Sequence, residues 1–369
     1  MSETVTLLLT GDVMLGRGVD QILRHPSDPA LAETYVRDAR RYVELAERRN
    51  GPIPRPVDES WLWGDAVDVL TELAPDARLI NLETAITRDG EFAPGKAVHY
   101  RMSPDNVASL AGLAPDVCAL ANNHVLDFGV AGLLETLDVL ADARIHGVGA
   151  GRDEQAARAP AVVPCGAGGR LLVVGCGTPS SGIPPNWAAT DARPGVHLLT
   201  ELTARRADEL AASVAASKRP GDVAVVSIHW GSNWGYAVEP GFRRFAHRLV
   251  DGGVDLVHGH SSHHPRPIEI YRGRLILYGC GDFLDDYEGI GGHDDYRAEL
   301  TLMYFATLAV DTGRLVELRM VPLRISRIRL RHVEAGDLQW VRTTLEEISR
   351  PSGTRVDVLR DGMLLARPA

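Results

Sequence analysis

The chain has 369 residues, 39 basic against 49 acidic for a formal net charge of -10, and 45% hydrophobic residues. This composition fits a folded soluble protein and excludes collagen-like, coiled-coil and disordered classes, while the acidic balance argues against a bulk grip on nucleic acid or an anionic membrane. The four cysteines (Cys118, Cys165, Cys176, Cys280) are far apart in apolar surroundings, and no segment reaches the roughly 20 apolar residues of a membrane span, so a reducing, cytoplasmic location without a membrane segment is expected.

In chain order, apolar runs of strand length alternate with amphipathic stretches, and five runs end in polar clusters. Residues 5–10 lead into Gly11-Asp12, 78–80 into Asn81-Leu82-Glu83, 117–121 into Asn122-Asn123-His124, 223–228 into His229-Trp230, and 254–257 into His258-Gly259-His260. Runs rich in Val, Leu and Ile predict a largely buried sheet of α/β type, whose functional groups gather beyond the carboxyl ends of the strands. Helices are predicted over 29–49, 63–73, 104–113, 130–143, 199–217 and 241–250, with Ser103 and Pro104 as a start signal. A Pro- and Trp-rich insertion at 50–63 is either a lid over the site or an excursion pinned by Trp61 and Trp63. After Asp282, two antiparallel strands (299–310 and 315–330), a helix near 335–349 and a strand pair around 356–366 form a β-rich extension. The expected organisation is a domain over 1–330 followed by a C-terminal helix and strand pair over 331–369.

The segment 255–265 carries four histidines in seven positions directly after an apolar run, a pattern suited to aiming several imidazoles at a metal. Asp12 and Glu83 are weaker signals, since a turn aspartate or a solvated strand-end glutamate is common. Asn123 offers a neutral oxygen ligand and His124 a proton-transfer group, although the two asparagines also read as a cap for the helix near Gly129. His229, between apolar residues and Trp230, reads equally as a buried histidine bonded to backbone. The stretch 284–295 reads as a glycine-hinged loop carrying His293 and carboxylates to the site or as a solvated acidic turn.

These residues together resemble the calcineurin-like metallophosphoesterase superfamily and, within it, the CapA-like branch associated with poly-γ-glutamate capsule synthesis. The resemblance runs through Gly11-Asp12-Val13-Met14-Leu15-Gly16-Arg17, Asn81-Leu82-Glu83-Thr84, Ala121-Asn122-Asn123-His124, His229-Trp230-Gly231 and Gly259-His260 to Glu269. It implies a calcineurin-like α/β fold of layered sheets flanked by helices. It further implies a metal site of Asp12, Glu83, Asn123, His229, His260 and His263, with His124 in the acid/base position. Two departures stand out: Met14 replaces the histidine of the superfamily's Asp-x-His, and Asp282 replaces the branch's Asn in Gly-Asn-Phe.

Three activities are weighed. Phosphoester hydrolysis would use metal and a cation such as Arg17, but loses a ligand at Met14. A capsule biosynthesis role is weakened by the expected absence of an anchor. The preferred reading follows the resemblance to soluble tailoring enzymes of lasso peptides: a metal-dependent epimerase exchanging a proton at a peptide Cα. Its catalytic groups would be Asp12, His124, Asp282 and His293, set in two His–Asp pairs. The expected cofactor is a divalent ion, calcium or manganese first and zinc second, and the expected partner a peptide substrate rather than nucleic acid or membrane. A binding-only role is the remaining alternative.

Overall fold

The computed structural model of the chain describes residues 3–166 and 168–369. Ten strands form one sheet, in which Thr4–Val13, Ala77–Leu82, Val117–Ala119 and His146–Val148 run parallel side by side. Beyond Thr4–Val13 the sheet turns antiparallel through Leu300–Ala309 and Leu315–Ile325. Six strands form a second sheet with a parallel centre of Gly169–Gly177, Asp222–His229, Leu256–His260 and Arg274–Leu277.

Side-chain alternation explains the layering. Leu7 and Leu9 enter a core shared with Val173, Val225 and Leu256 of the second sheet, whereas Leu8 faces the opposite way among Val43, Ala66 and Leu133. On the second sheet Leu172, Val174, Ala224 and Val226 point outward onto helices Ala204–Ser217 and Pro240–Asp251. The result is helices, sheet, sheet, helices, the layered α/β class expected. Every strand in the middle is apolar on both faces, which is why the sequence shows continuous runs rather than alternation.

Local structure departs from expectation in places with clear causes. Only Arg40–Asn50 of the stretch 29–49 is helical; the segment before it is irregular and carries Glu33 to Arg17. Residues 104–112 wind as a 3₁₀ helix, and Ser103 makes no capping bond. The helix predicted from 199 starts at Ala204, where the Thr203 hydroxyl accepts from the Arg206 amide at 3.3 Å. Phe128, not an asparagine, precedes the helix Gly129–Asp142. The Pro- and Trp-rich insertion takes the pinned alternative: Ile53, Val57, Leu62 and Trp63 are buried, Trp63 Nε1 donates to the Ser109 carbonyl at 2.5 Å, and Trp61 Nε1 to that of Arg327 at 3.2 Å. At the C-terminus, Thr354–Val358 and Leu364–Pro368 extend the ten-stranded sheet through Leu315–Ile325, and Val341 and Leu345 of helix Ala335–Ser349 pack into the inter-sheet core. No helix among the described residues is long and apolar enough to cross a membrane.

Candidate functional site

The carboxyl ends of the parallel strands from both sheets open at one place. Asp12 stands in register with Asn81 on one side and Asp282 on the other, and His229 is in register with His260. Gly11 is required for this convergence, because a Cβ there would lie 1.6 Å from the Gly281 carbonyl oxygen. The close backbone approach lets the short strand Asp282–Leu284 add beside Thr4–Val13 and carry Asp282 to Asp12.

Asn81 Nδ2 donates to Asp12 Oδ1 at 2.7 Å and to Glu83 Oε2 at 3.0 Å, and the Ser261 amide donates to Asp12 Oδ2 at 3.2 Å. Glu83 Oε2 is 3.9 Å from His229 Nε2, which lies 2.9 Å from Asn123 Oδ1. His260 Nδ1 is 2.8 Å from His229 Nδ1 and 4.0 Å from Asp12 Oδ1, while His263 Nδ1 lies 3.0 Å from Asp282 Oδ1. All six residues expected as ligands, and Asp282 with them, are therefore brought together. Two groups, Asp12–His229–His260 and Asp12–His263–Asp282, have ligand atoms close enough to share an ion, and Asp12 belongs to both.

Charge argues for a cation there. Asp12, Glu83, Asp282 and Asp285 are all buried. Burial, reinforced by Asp282, raises Asp12 to about 7, and burial drives Glu83, Asp282 and Asp285 well above the ordinary carboxylate range. Asp282 Oδ2 and Asp285 Oδ2 find no hydrogen-bond partner among the described residues. Buried carboxylates left in this state are costly unless a cation pairs with them. Burial also drives His229 and His260 well below the usual imidazole range, leaving neutral rings with a lone pair to donate. A mixed oxygen and nitrogen donor set of this kind fits a divalent ion.

Two structural corrections concern the expected His–Asp pairs. His124 is not paired with Asp12: its Nδ1 lies 2.6 Å from Asp127 Oδ2, three residues on in the same turn. Asp282 is paired with His263, not His293. His293 is exposed and stacks on Trp234 with ring centroids 3.9 Å apart, lining a 440 Å³ cavity beside His263 and Asp285. Arg17, considered as a substrate cation, is buried, ion-paired with Asp286 and Glu33, and stacked on Tyr42, so its charge is already matched. Met14 is buried, with the Tyr287 hydroxyl 3.6 Å from its sulfur.

Sequence reasoning missed Asp127 and Lys96, whereas the loop expected to bring carboxylates to the site does bring Asp285. Asp127 accepts from the Tyr100 amide at 2.7 Å and pairs with Lys96 as well as His124. Although burial alone would raise it, the His124 ring and the Lys96 ammonium bonded to it hold its carboxyl below the usual range. Burial, working against Asp127, lowers His124 to about 4. The spacing His124 to Asp127 was a readable signal for a turn-bound pair; Lys96 gave none. Asn122 supports the turn, accepting from the amides of His124 and Val125 at 3.1 and 3.0 Å. A second cavity of 220 Å³ touches Glu83, Asn123, His124 and Ser261 and shares Tyr100, His263 and Tyr287 with the larger one.

The chain is 58% identical over 368 residues to a probable polyglutamine synthesis accessory protein of Mycobacterium tuberculosis, covering 100% of this chain and 97% of that one. It is 27% identical over 285 residues to the PGA biosynthesis protein CapA of Bacillus subtilis, covering 76% and 70% of the two chains. Among solved structures, the calcineurin-like phosphoesterase YfkN of Bacillus subtilis aligns with a TM-score of 0.48 at 10% identity, over 94% of this chain and 99% of that one. Residues 6–287 match the model of the bacterial capsule synthesis protein PGA_cap family, and the chain belongs to that family.

Proposed function

We propose that this chain is a divalent-metal-dependent hydrolase of ester or phosphoester bonds, serving the synthesis of a poly-γ-glutamate-type polymer. The observation that carries the reading is the shared carboxylate: Asp12 belongs to two adjacent ligand groups, and a carboxylate-bound histidine stands beside them. The polymer half is supported by the relatives, whose names refer to polyglutamine synthesis and PGA biosynthesis.

Asp12, His229 and His260 would hold one ion, and Asp12, His263 and Asp282 a second, with Glu83 and Asn123 beside His229. A bound divalent ion supplies Lewis acidity and a water of lowered pKa. Asp127 accepts the Nδ1 proton of His124, which leaves Nε2 bare 3.8 Å from Glu83 Oε1. That nitrogen is the atom able to take a proton from water or return one to a leaving oxygen. The adjoining cavity gives a substrate room beside His263. Proton exchange at a peptide Cα fits less well, because Asp12, His124, Asp282 and His293 do not form the two pairs that reading requires.

The test is to strip the protein with chelator, reload it with Mn²⁺, and assay p-nitrophenyl phosphate, its bis-ester and p-nitrophenyl acetate, with peptides in heavy water as a parallel arm. Hydrolysis that needs the ion and falls roughly 10²- to 10⁴-fold in His124→Ala is expected. Deuterium uptake at a peptide Cα with no hydrolysis of any of the three would overturn the proposal in favour of the epimerase.

A further inference from the structure

The four histidines of residues 258–264 do not share one role. His260 and His263 reach the carboxylates, and His264 Nδ1 is 3.0 Å from the neighbouring Pro265 carbonyl. His258 has no place in the chemistry proposed above. It is fully buried in strand Leu256–His260, two residues before His260 and on the same face of the sheet. Its Nε2 is 2.8 Å from the Thr10 carbonyl and its Nδ1 3.0 Å from Ser227 Oγ. Ser227 sits opposite His258 in the adjacent strand, and its Oγ is 2.9 Å from His260 Nε2.

We infer that Thr10, His258 and Ser227 form a one-way hydrogen-bond relay that fixes the tautomer of His260, so that its Nδ1 lone pair is the ligand atom. His258 and Ser227 are then positioning residues. The metal consequence rests on the reading of the site given above; the tautomer assignment does not.

The direction follows from what each group can do. A carbonyl oxygen only accepts, so His258 Nε2 carries the ring proton. The groups bonded to His258 are a carbonyl and a hydroxyl, neither of which offsets a buried positive charge, so the ring is neutral and its Nδ1 is an acceptor. Ser227 therefore spends its hydroxyl proton on His258, and only lone pairs of its oxygen are left for His260. His260 Nε2 must then donate, which strips its Nδ1; by the same rule His229 Nε2 donates to Asn123 Oδ1 at 2.9 Å, so two bare Nδ1 atoms meet at 2.8 Å beside Asp12, an arrangement that a shared cation resolves. The opposite assignment would face two lone pairs at 3.0 Å between Ser227 and His258 in a site closed to water. Partners of this kind, one bond behind a ligand, orient the ring and raise its basicity.

Two measurements on the full chain test the relay. In the chelator-treated protein labelled with ¹⁵N-histidine, long-range proton–nitrogen correlation, with His260→Gln for assignment, is expected to show His260 protonated at Nε2. Titration calorimetry with Mn²⁺ is expected to show roughly 10- to 100-fold weaker binding in Ser227→Ala and His258→Phe. His258→Asn, which keeps an acceptor near the Nδ1 position, is expected to bind close to wild type. Ser227→Ala guards against a His258→Phe variant that fails to fold. A His260 protonated at Nδ1 in the ion-free wild type, or Mn²⁺ affinity unchanged in Ser227→Ala, overturns the relay. A wild type that binds no divalent ion instead overturns the hydrolase reading and the ligand role of Nδ1, while the tautomer signal still decides the relay.

Discussion

Asp12→Asn is the substitution whose outcome departs furthest from that of an ordinary core mutation. In the ion-free protein, burial and then Asp282 raise Asp12 from an ordinary 3.8 to about 7. Because the folded pKa lies above the unfolded one, stability from the neutral form is fully present below about pH 4 and is lost as pH rises through about 7. A rise of about three units corresponds to about 4 kcal/mol of lost stability at pH 8. Asparagine carries no charge and keeps an oxygen for the Asn81 amide at the Oδ1 position, but it gives up the bond from Ser261 N to Oδ2, worth about 1 kcal/mol. The variant should therefore be about 3 kcal/mol more stable than wild type at pH 8 in chelator, with the advantage shrinking toward pH 5. With saturating Mn²⁺ the order should invert, since an ion at 1,000 times its Kd adds about 4.1 kcal/mol to wild type and nothing to a variant that lacks the shared ligand. Urea denaturation at pH 5 and pH 8, with and without Mn²⁺, measures all four quantities. A variant less stable than wild type in chelator at pH 8, or one still stabilised by Mn²⁺, would refute the charge argument.

Other changes separate parts of the site. Asp127→Asn removes the charge that orients His124 and neutralises Lys96, so hydrolysis should fall at least tenfold while Mn²⁺ affinity, set by other residues, holds; calorimetry beside a rate assay checks the split. His293→Ala should leave Mn²⁺ affinity unchanged and act only on KM, because the exposed ring touches Trp234 and no ligand group; equal losses in affinity and kcat would place it in the metal site after all. Gly11→Ala, with its Cβ 1.6 Å from the Gly281 oxygen, should yield protein that either fails to fold or binds no Mn²⁺, seen by circular dichroism and calorimetry.

Much of the layered fold could be read from residue chemistry because β-branched runs and short connecting helices leave few alternatives. The division into two sheets could not. Leu7, Leu8 and Leu9 are equally apolar, yet the outer two enter the inter-sheet core and the middle one packs beneath helices. A strand covered on both faces carries no alternation to say which face meets which layer. The stretch 29–39 misled for a different reason: its apolar spacing resembles a helix, while Glu33 is drawn instead to Arg17 and Tyr42 through charge and hydrogen bonds made in three dimensions.

The site was more legible than its wiring. Strand-end Asp, Asn and His residues identify themselves by following apolar runs, and all six expected ligands meet. Lys96 gave no such signal, and the loop that carries Asp285 read equally as a solvated acidic turn, because only tertiary contacts decide the direction of a loop. The two departures noted in the sequence, Met14 and Asp282, look unrelated at a separation of hundreds of residues. In space they are one event. The strand Asp282–Leu284 pairs with the end of Thr4–Val13, Met14 N donates to the Leu284 carbonyl at 2.8 Å, and Asp282 stands level with Asp12. A side chain at position 14 would reach the site from two residues along the strand; a carboxylate at 282 reaches it from the neighbouring strand at the level of Asp12. The polarity missing at Met14 is thus matched by a carboxylate arriving sideways, and the thioether is left to pack near Tyr287. Restoring histidine at Met14 should therefore add little Mn²⁺ affinity while Asp282 is present and should recover affinity in an Asp282→Asn background, a double-mutant cycle that calorimetry can close. Additive effects of the two changes would show that they act at separate places and would break the link drawn here between them.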